Sequence, residues 1–133
     1  MKKLLLLAVL TLVTMSCDPD DSNEPAVYNM EGKWLSASNL SNTMYIFENG
    51  VRYTYYCTDG LSCLAQYDSF EAADGNHIPG TNDYTFENGI LTIDLNFGNE
   101  LVAPVTFECD GDKVYVGTTP NGFYLYRLGA NCN

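Results

Sequence analysis

The chain has 133 residues, 46% of them hydrophobic, with 17 acidic against 6 basic residues and five cysteines. That is the length of one domain, and at 13% aromatic and 17% charged it is too apolar to be disordered. Setting aside Lys2 and Lys3, four cations face all 17 acids; a net charge of −13 repels phosphate backbones and excludes nucleic acid as a partner.

Lys2 and Lys3 precede an apolar run over residues 4–13, broken only by Thr11. Ten helical residues rise about 15 Å, half of a bilayer core, so the run predicts a secretory leader rather than a span. Thr14-Met15-Ser16-Cys17 follows and resembles a bacterial lipobox, where a small residue precedes the cysteine that receives the lipid. The resemblance implies a signal peptide over residues 1–16 and acyl chains, palmitate among them, on Cys17. The plain alternative is a fifth, unpaired thiol. Residues 17–26 predict a tether, because Asp18-Pro19-Asp20-Asp21 and the polar residues after it cannot bury enough apolar surface to fold. An acidic run behind a lipidated cysteine is similar to the surface-export signal of Bacteroidota lipoproteins; a solubilising linker has the same composition. The expected location is the bacterial outer membrane, with the domain periplasmic or surface-exposed.

Residues 27–133 read as strand after strand. The composition predicts strands at 33–39, 43–48, 51–57, 62–68, 82–87, 90–97, 100–109, 113–118 and 122–128. Leu91, Ile93, Leu95 and Phe97 alternate with polar residues and are expected to face a core. Leu101, Ala103, Val105 and Phe107 give a second such face, in which Pro104 points to an edge or a bulge. Phe-Glu-Asn-Gly occurs at 47–50 and again at 86–89, and each Asn-Gly predicts a two-residue hairpin with both residues at positive φ. Asp110-Gly111-Asp112 and Pro120-Asn121-Gly122 mark further reversals. Residues 69–74, closed by Gly75, carry the signals of a single helical turn. The expected architecture is all-β, an antiparallel up-and-down barrel of eight or nine short strands, with a sandwich as the other arrangement such strands allow.

Glu31-Gly32-Lys33-Trp34 opens the first predicted strand, and Tyr126-Arg127-Leu128 closes the last. A Gly-x-Trp in the first strand and an arginine in the last resemble the lipocalin superfamily, and with the leader they resemble the small lipocalin-like lipoproteins of Bacteroidota. The resemblance implies that Gly32, Trp34 and Arg127 close one barrel end, the guanidinium packing over the indole. Such a contact is favourable by about 0.5–2 kcal/mol. Leu35 and Leu125 are expected beside it.

Cys57, Cys63, Cys109 and Cys132 allow three pairings in an oxidising compartment. A hairpin about residues 58–62 would face Cys57 with Cys63, and a three-strand meander brings the end of its first strand, Cys109, to the end of its third, near Cys132. The expected bridges are therefore Cys57–Cys63 and Cys109–Cys132. The chain has one histidine, His77, so no zinc pair can be built, and neither a phosphate loop nor a Gly-x-Ser-x-Gly elbow occurs. No catalytic residue, metal or cofactor is expected, and the turn carboxylates are assigned to local backbone hydrogen bonds.

Two functions fit these features. The first is a monomeric, non-catalytic binding barrel for a small apolar ligand. Ten tyrosines, six phenylalanines and one tryptophan can line a cavity or fill it, and short strands favour filling. The second is a surface protein-interaction module, such as an envelope enzyme inhibitor or accessory subunit. Tyr55-Tyr56-Cys57 is similar to the Tyr-x-Cys strand of barrel-type lysozyme inhibitors, and the acidic surface suits a basic protein partner.

Overall fold

The computed structural model describes residues 26–36, 41–58 and 63–132. The expected signal peptide, Cys17 and the tether up to Pro25 lie outside these residues. Eight antiparallel strands form a closed up-and-down barrel in sequence order: β1 (Gly32–Leu35), β2 (Thr43–Glu48), β3 (Val51–Tyr56), β4 (Asn82–Glu87), β5 (Ile90–Asp94), β6 (Glu100–Glu108), β7 (Lys113–Val116) and β8 (Phe123–Arg127). Asn49 and Gly50 have φ of 51° and 79°, and Asn88 and Gly89 have 51° and 76°. Both Asn-Gly pairs thus make the predicted hairpins, β2–β3 and β4–β5, in the turn whose twist matches the strands it joins.

Strand parity sorts the apolar side chains into two layers. Trp34, Phe47, Leu91, Ile93, Val114, Val116 and Leu125 pack together with Met30 as one core, the barrel interior. Leu35, Met44, Ile46 and Tyr55 form a second core with Cys63, Tyr67 and Phe70. That second layer lies on the opposite face of β1–β3, beneath helix α1 (Cys63–Ser69). Leu35 therefore belongs to the other side of the sheet from its neighbour Trp34, whereas Leu125 shares Trp34's core.

Three sequence expectations are corrected. Residues 62–68, expected as a strand, form α1: Cys63 and Tyr67 stand one helical turn apart and are both buried. Leu64, Ala65 and Gln66 between them are good helix formers. The chain from residue 70 to 74 is a turn after the helix, with the Asp74 N–H donating to the Glu71 carbonyl at 3.1 Å. Finally, β5 stops at Asp94, and Leu95 and Phe97 are exposed in the β5–β6 turn, where Asn96 and Phe97 have φ of 68° and 56°. Pro104 sits within β6 where pairing passes from β5 (Ile90↔Pro104) to β7 (Val105↔Val116).

Two seams of the barrel are thin. The one that closes it, β1–β8, has two pairs, Trp34↔Arg127 and Leu35↔Tyr126. The other, β3–β4, also has two, Val51↔Asp83 and Arg52↔Asn82. Past Arg52 the strands diverge, and the segment before β4 is tied to β3 by the Ile78 N–H, which donates to the Thr54 carbonyl at 2.8 Å.

Candidate functional site

The two ends of the barrel differ. At one end the segment before β1 crosses the opening: Met30 is buried, and its carbonyl accepts from the Trp34 indole N–H at 2.8 Å. The Tyr84 hydroxyl donates to Glu31 Oε1 at 2.7 Å, fastening the same segment to β4. The Arg127 guanidinium carbon lies 4.3 Å from the centre of the Trp34 ring, and its Nη1 donates to the Glu31 carbonyl at 3.1 Å. Asp112 faces Arg127 Nε at 3.7 Å. Gly32 is required here. Its φ is +113°, and a Cβ on it would stand 2.8 Å from Arg127 Nη1. Gly32, Trp34 and Arg127 are thus brought together at this end of the barrel.

The expected disulfides are both present. Cys57–Cys63 has its Cα atoms 5.6 Å apart and ties the end of β3 to the first residue of α1, not across a hairpin mouth. Cys109–Cys132, with Cα atoms 6.1 Å apart, ties the turn after β6 to the segment beyond β8. This is the meander geometry inferred from the strand order. His77 lies over the edges of Tyr53 and Tyr55, and its Nδ1 is 2.8 Å from the Ile78 carbonyl.

The other end is open. The diverging upper part of β3 and the segment 78–82 bound a cleft of about 270 Å³, whose walls include Tyr45, Arg52, Thr54, Tyr56, Ile78 and Asn96. Tyr45 and Arg52 also border a hollow of about 30 Å³ within the barrel, walled by Phe47, Leu91, Ile93 and Leu125. That hollow holds about one water-sized group. Cleft and hollow share two side chains, Tyr45 and Arg52.

Arg52 is the residue the sequence reading passed over. It lies at an inward position of β3, its Nη2 donates to Asn82 Oδ1 at 2.5 Å, and its guanidinium carbon is 5.2 Å from the centre of the Tyr45 ring. Lys33, Lys113 and Arg127 pair with Glu71, Glu108 and Asp112; among the described residues Arg52 has no carboxylate partner, and its buried Nε has no hydrogen-bond partner at all. Burial pulls its pKa below the ordinary arginine value, with Tyr45 opposing. The guanidinium nonetheless stays charged at any physiological pH. The available signal was parity: in Val51-Arg52-Tyr53-Thr54-Tyr55-Tyr56 the arginine falls on the inward phase with Thr54.

On the outer face of β7 and β8, Tyr115, Tyr124 and Tyr126 form a ladder with ring centres 4.9 and 6.3 Å apart. Lys113 Nζ stands 4.2 Å from the centre of the Tyr124 ring. Comparison with family models, curated proteins and solved structures finds no match to this chain.

Proposed function

We propose that the protein is a non-catalytic, lipid-anchored envelope lipoprotein of the lipocalin-like kind, acting as a monomer, whose barrel binds a small ligand at its open end. The observation that carries this reading is the 270 Å³ cleft over the inward side chains Tyr45, Arg52 and Thr54. The 30 Å³ hollow below it is too small to enclose a ligand of the size such pockets usually take, so binding is at the mouth rather than in the barrel's depth. The packing of Arg127 over Trp34 beside Gly32 supports the lipocalin-like assignment, and the leader with Ser16-Cys17 supports the anchor. The closed end also carries the described N-terminus, so a lipid on Cys17 would tether that end and leave the mouth facing away from the anchor.

The tyrosine ladder of β7 and β8 favours a second reading, a protein-interaction module. Large rigid rings make contacts at low entropic cost, and the acidic chain would draw a basic partner. Native mass spectrometry of the protein taken from its own envelope separates the two. A retained small molecule on the acylated chain supports the binding barrel. A stoichiometric protein partner with no small molecule overturns it in favour of the second reading.

A further inference from the structure

Four cationic side chains are described, and three are matched to carboxylates. The fourth, Arg52, stands inside a strongly acidic protein at the junction of mouth and hollow, its one hydrogen bond going to a neutral amide. In a chain with 17 acidic residues, the inward-facing Arg52 has no carboxylate partner among the described residues, so its positive charge is unmatched there. The bond to Asn82 ties β3 to β4 and accounts for Nη2, but the buried Nε is left without a partner among the described residues.

We propose that the mouth is a recognition site for a small monocarboxylate with an apolar body, the carboxylate accepting hydrogen bonds from Arg52 and the body lying against Tyr45, Tyr56 and Ile78. The inference rests on the mouth-binding reading above and deepens it. A carboxylate matches the planar fork of a guanidinium, which a rounder anion does so less closely. A single charge is required, because one unmatched cation is available and the field of the remaining acids opposes a dianion. An apolar body has Tyr45, Tyr56, Ile78 and Pro79 to lie against, on the walls left between the polar Thr54, Thr81, Asn82 and Asn96, and the rim adds the exposed Leu95 and Phe97 on either side of Asn96. A small body follows from the volume, about 270 Å³, just under the range of drug-sized pockets. Arg52's lowered pKa agrees with this: burial penalises its charge, and a bound anion would relieve that penalty.

The test is a titration of the full-length, detergent-solubilised protein followed by amide NMR, with phenylacetate, its neutral isostere phenylacetamide, and inorganic phosphate as probes. Phenylacetate is expected to shift Tyr45, Arg52, Asn82 and Asn96 saturably, and phenylacetamide to bind about 10- to 100-fold more weakly, the usual worth of a charge-assisted pair. Arg52→Gln should abolish that preference and Arg52→Lys should keep part of it. Should Arg52→Gln fail to fold, the comparison of acid and amide on the unaltered protein still decides. Equal binding of phenylacetate and phenylacetamide, or a preference that survives in Arg52→Gln, overturns the carboxylate inference and leaves the mouth site standing. Phosphate binding as tightly as phenylacetate overturns the apolar body. Shifts confined to the Tyr115–Tyr124 face, or none at all, remove the mouth reading and this inference together.

Discussion

Trp34 and Arg127 are direct partners across the β1–β8 seam, ninety-three positions apart in the chain, and their side chains meet ring to guanidinium at 4.3 Å. The seam has two residue pairs, so side chains must supply what the ladder does not. Arg127 does this from the edge of the core, with its guanidinium over the fully buried indole and bonded to the Glu31 carbonyl. Gly32 completes the arrangement by leaving the head its space.

Arg127→Ala should therefore lower unfolding stability by about 1–3 kcal/mol, through lost stem packing as well as lost charge. Arg127→Lys should recover part of this, since an ammonium keeps the charge but loses the planar stack. Gly32→Ala should also destabilise, because it adds a methyl within 2.8 Å of Arg127 Nη1 at a left-handed φ. Urea unfolding measures all three, and a wild-type midpoint for Arg127→Ala would mean that the pair does not hold the seam.

The two disulfides differ in the loop they close, with sequence separations of 6 and 23. Loop entropy assigns about 2 kcal/mol to Cys57–Cys63 and about 3.5 kcal/mol to Cys109–Cys132. Replacing the second pair by serine should thus cost more, and it frees the segment just beyond the strand that carries Arg127. Equal losses of stability in the two double variants would contradict this order.

Cys17→Ala should move the protein from the membrane fraction to the soluble fraction. Two or more acyl chains anchor stably where one does not, at about 0.8 kcal/mol per buried CH₂. Wild-type abundance in the membrane fraction would show that Cys17 does not carry the anchor.

Stability should fall above pH of about 10. Burial holds the phenols of Tyr55, Tyr67 and Tyr84 above the ordinary tyrosine range, helped by Asp74 at Tyr55 and by Glu31 at Tyr84. Lys113, raised by its bond to Glu108, acts in the same direction. The folded chain keeps protons that the unfolded chain releases near pH 10, so the unfolded state binds fewer and stability declines as pH rises. The contribution is complete below that pH and is lost on approach to the folded pKa values. Tyr55→Phe should lose about 1 kcal/mol at neutral pH with its bond to the Glu71 carbonyl, yet decline less steeply between pH 10 and 11. A flat or rising stability from pH 9 to 11 in the unaltered protein would rule this out.

Much of the barrel was legible in the sequence because its determinants are local. Asn49-Gly50 and Asn88-Gly89 carry their own turn chemistry, and Leu101, Ala103, Val105 and Phe107 carry their own period. The cysteine pairing was legible for a weaker reason. Strand order alone brought Cys109 to Cys132, whereas Cys57 was matched to Cys63 by a hairpin that the chain does not form.

Residue type and local spacing suffice for strands joined by Asn-Gly hairpins, for an acidic composition and for a Trp34–Arg127 pairing that a resemblance could single out. The remaining features depend on neighbours remote in the chain and emerge with the folded arrangement. Residues 63–69 are helical because the second face of β1–β3 offers Cys63 and Tyr67 a shared surface, which seven residues of mixed propensity cannot announce. Leu95 and Phe97 keep the strand alternation but turn to solvent, since the Leu95 N–H donates to the Asn99 carbonyl and the reversal begins there. Arg52 reads as an ordinary strand arginine until β3 and β4 part beside Asn82. Its surroundings come from β2, β4, β5 and β8, and charge left unmatched is a property of that assembly rather than of any one strand.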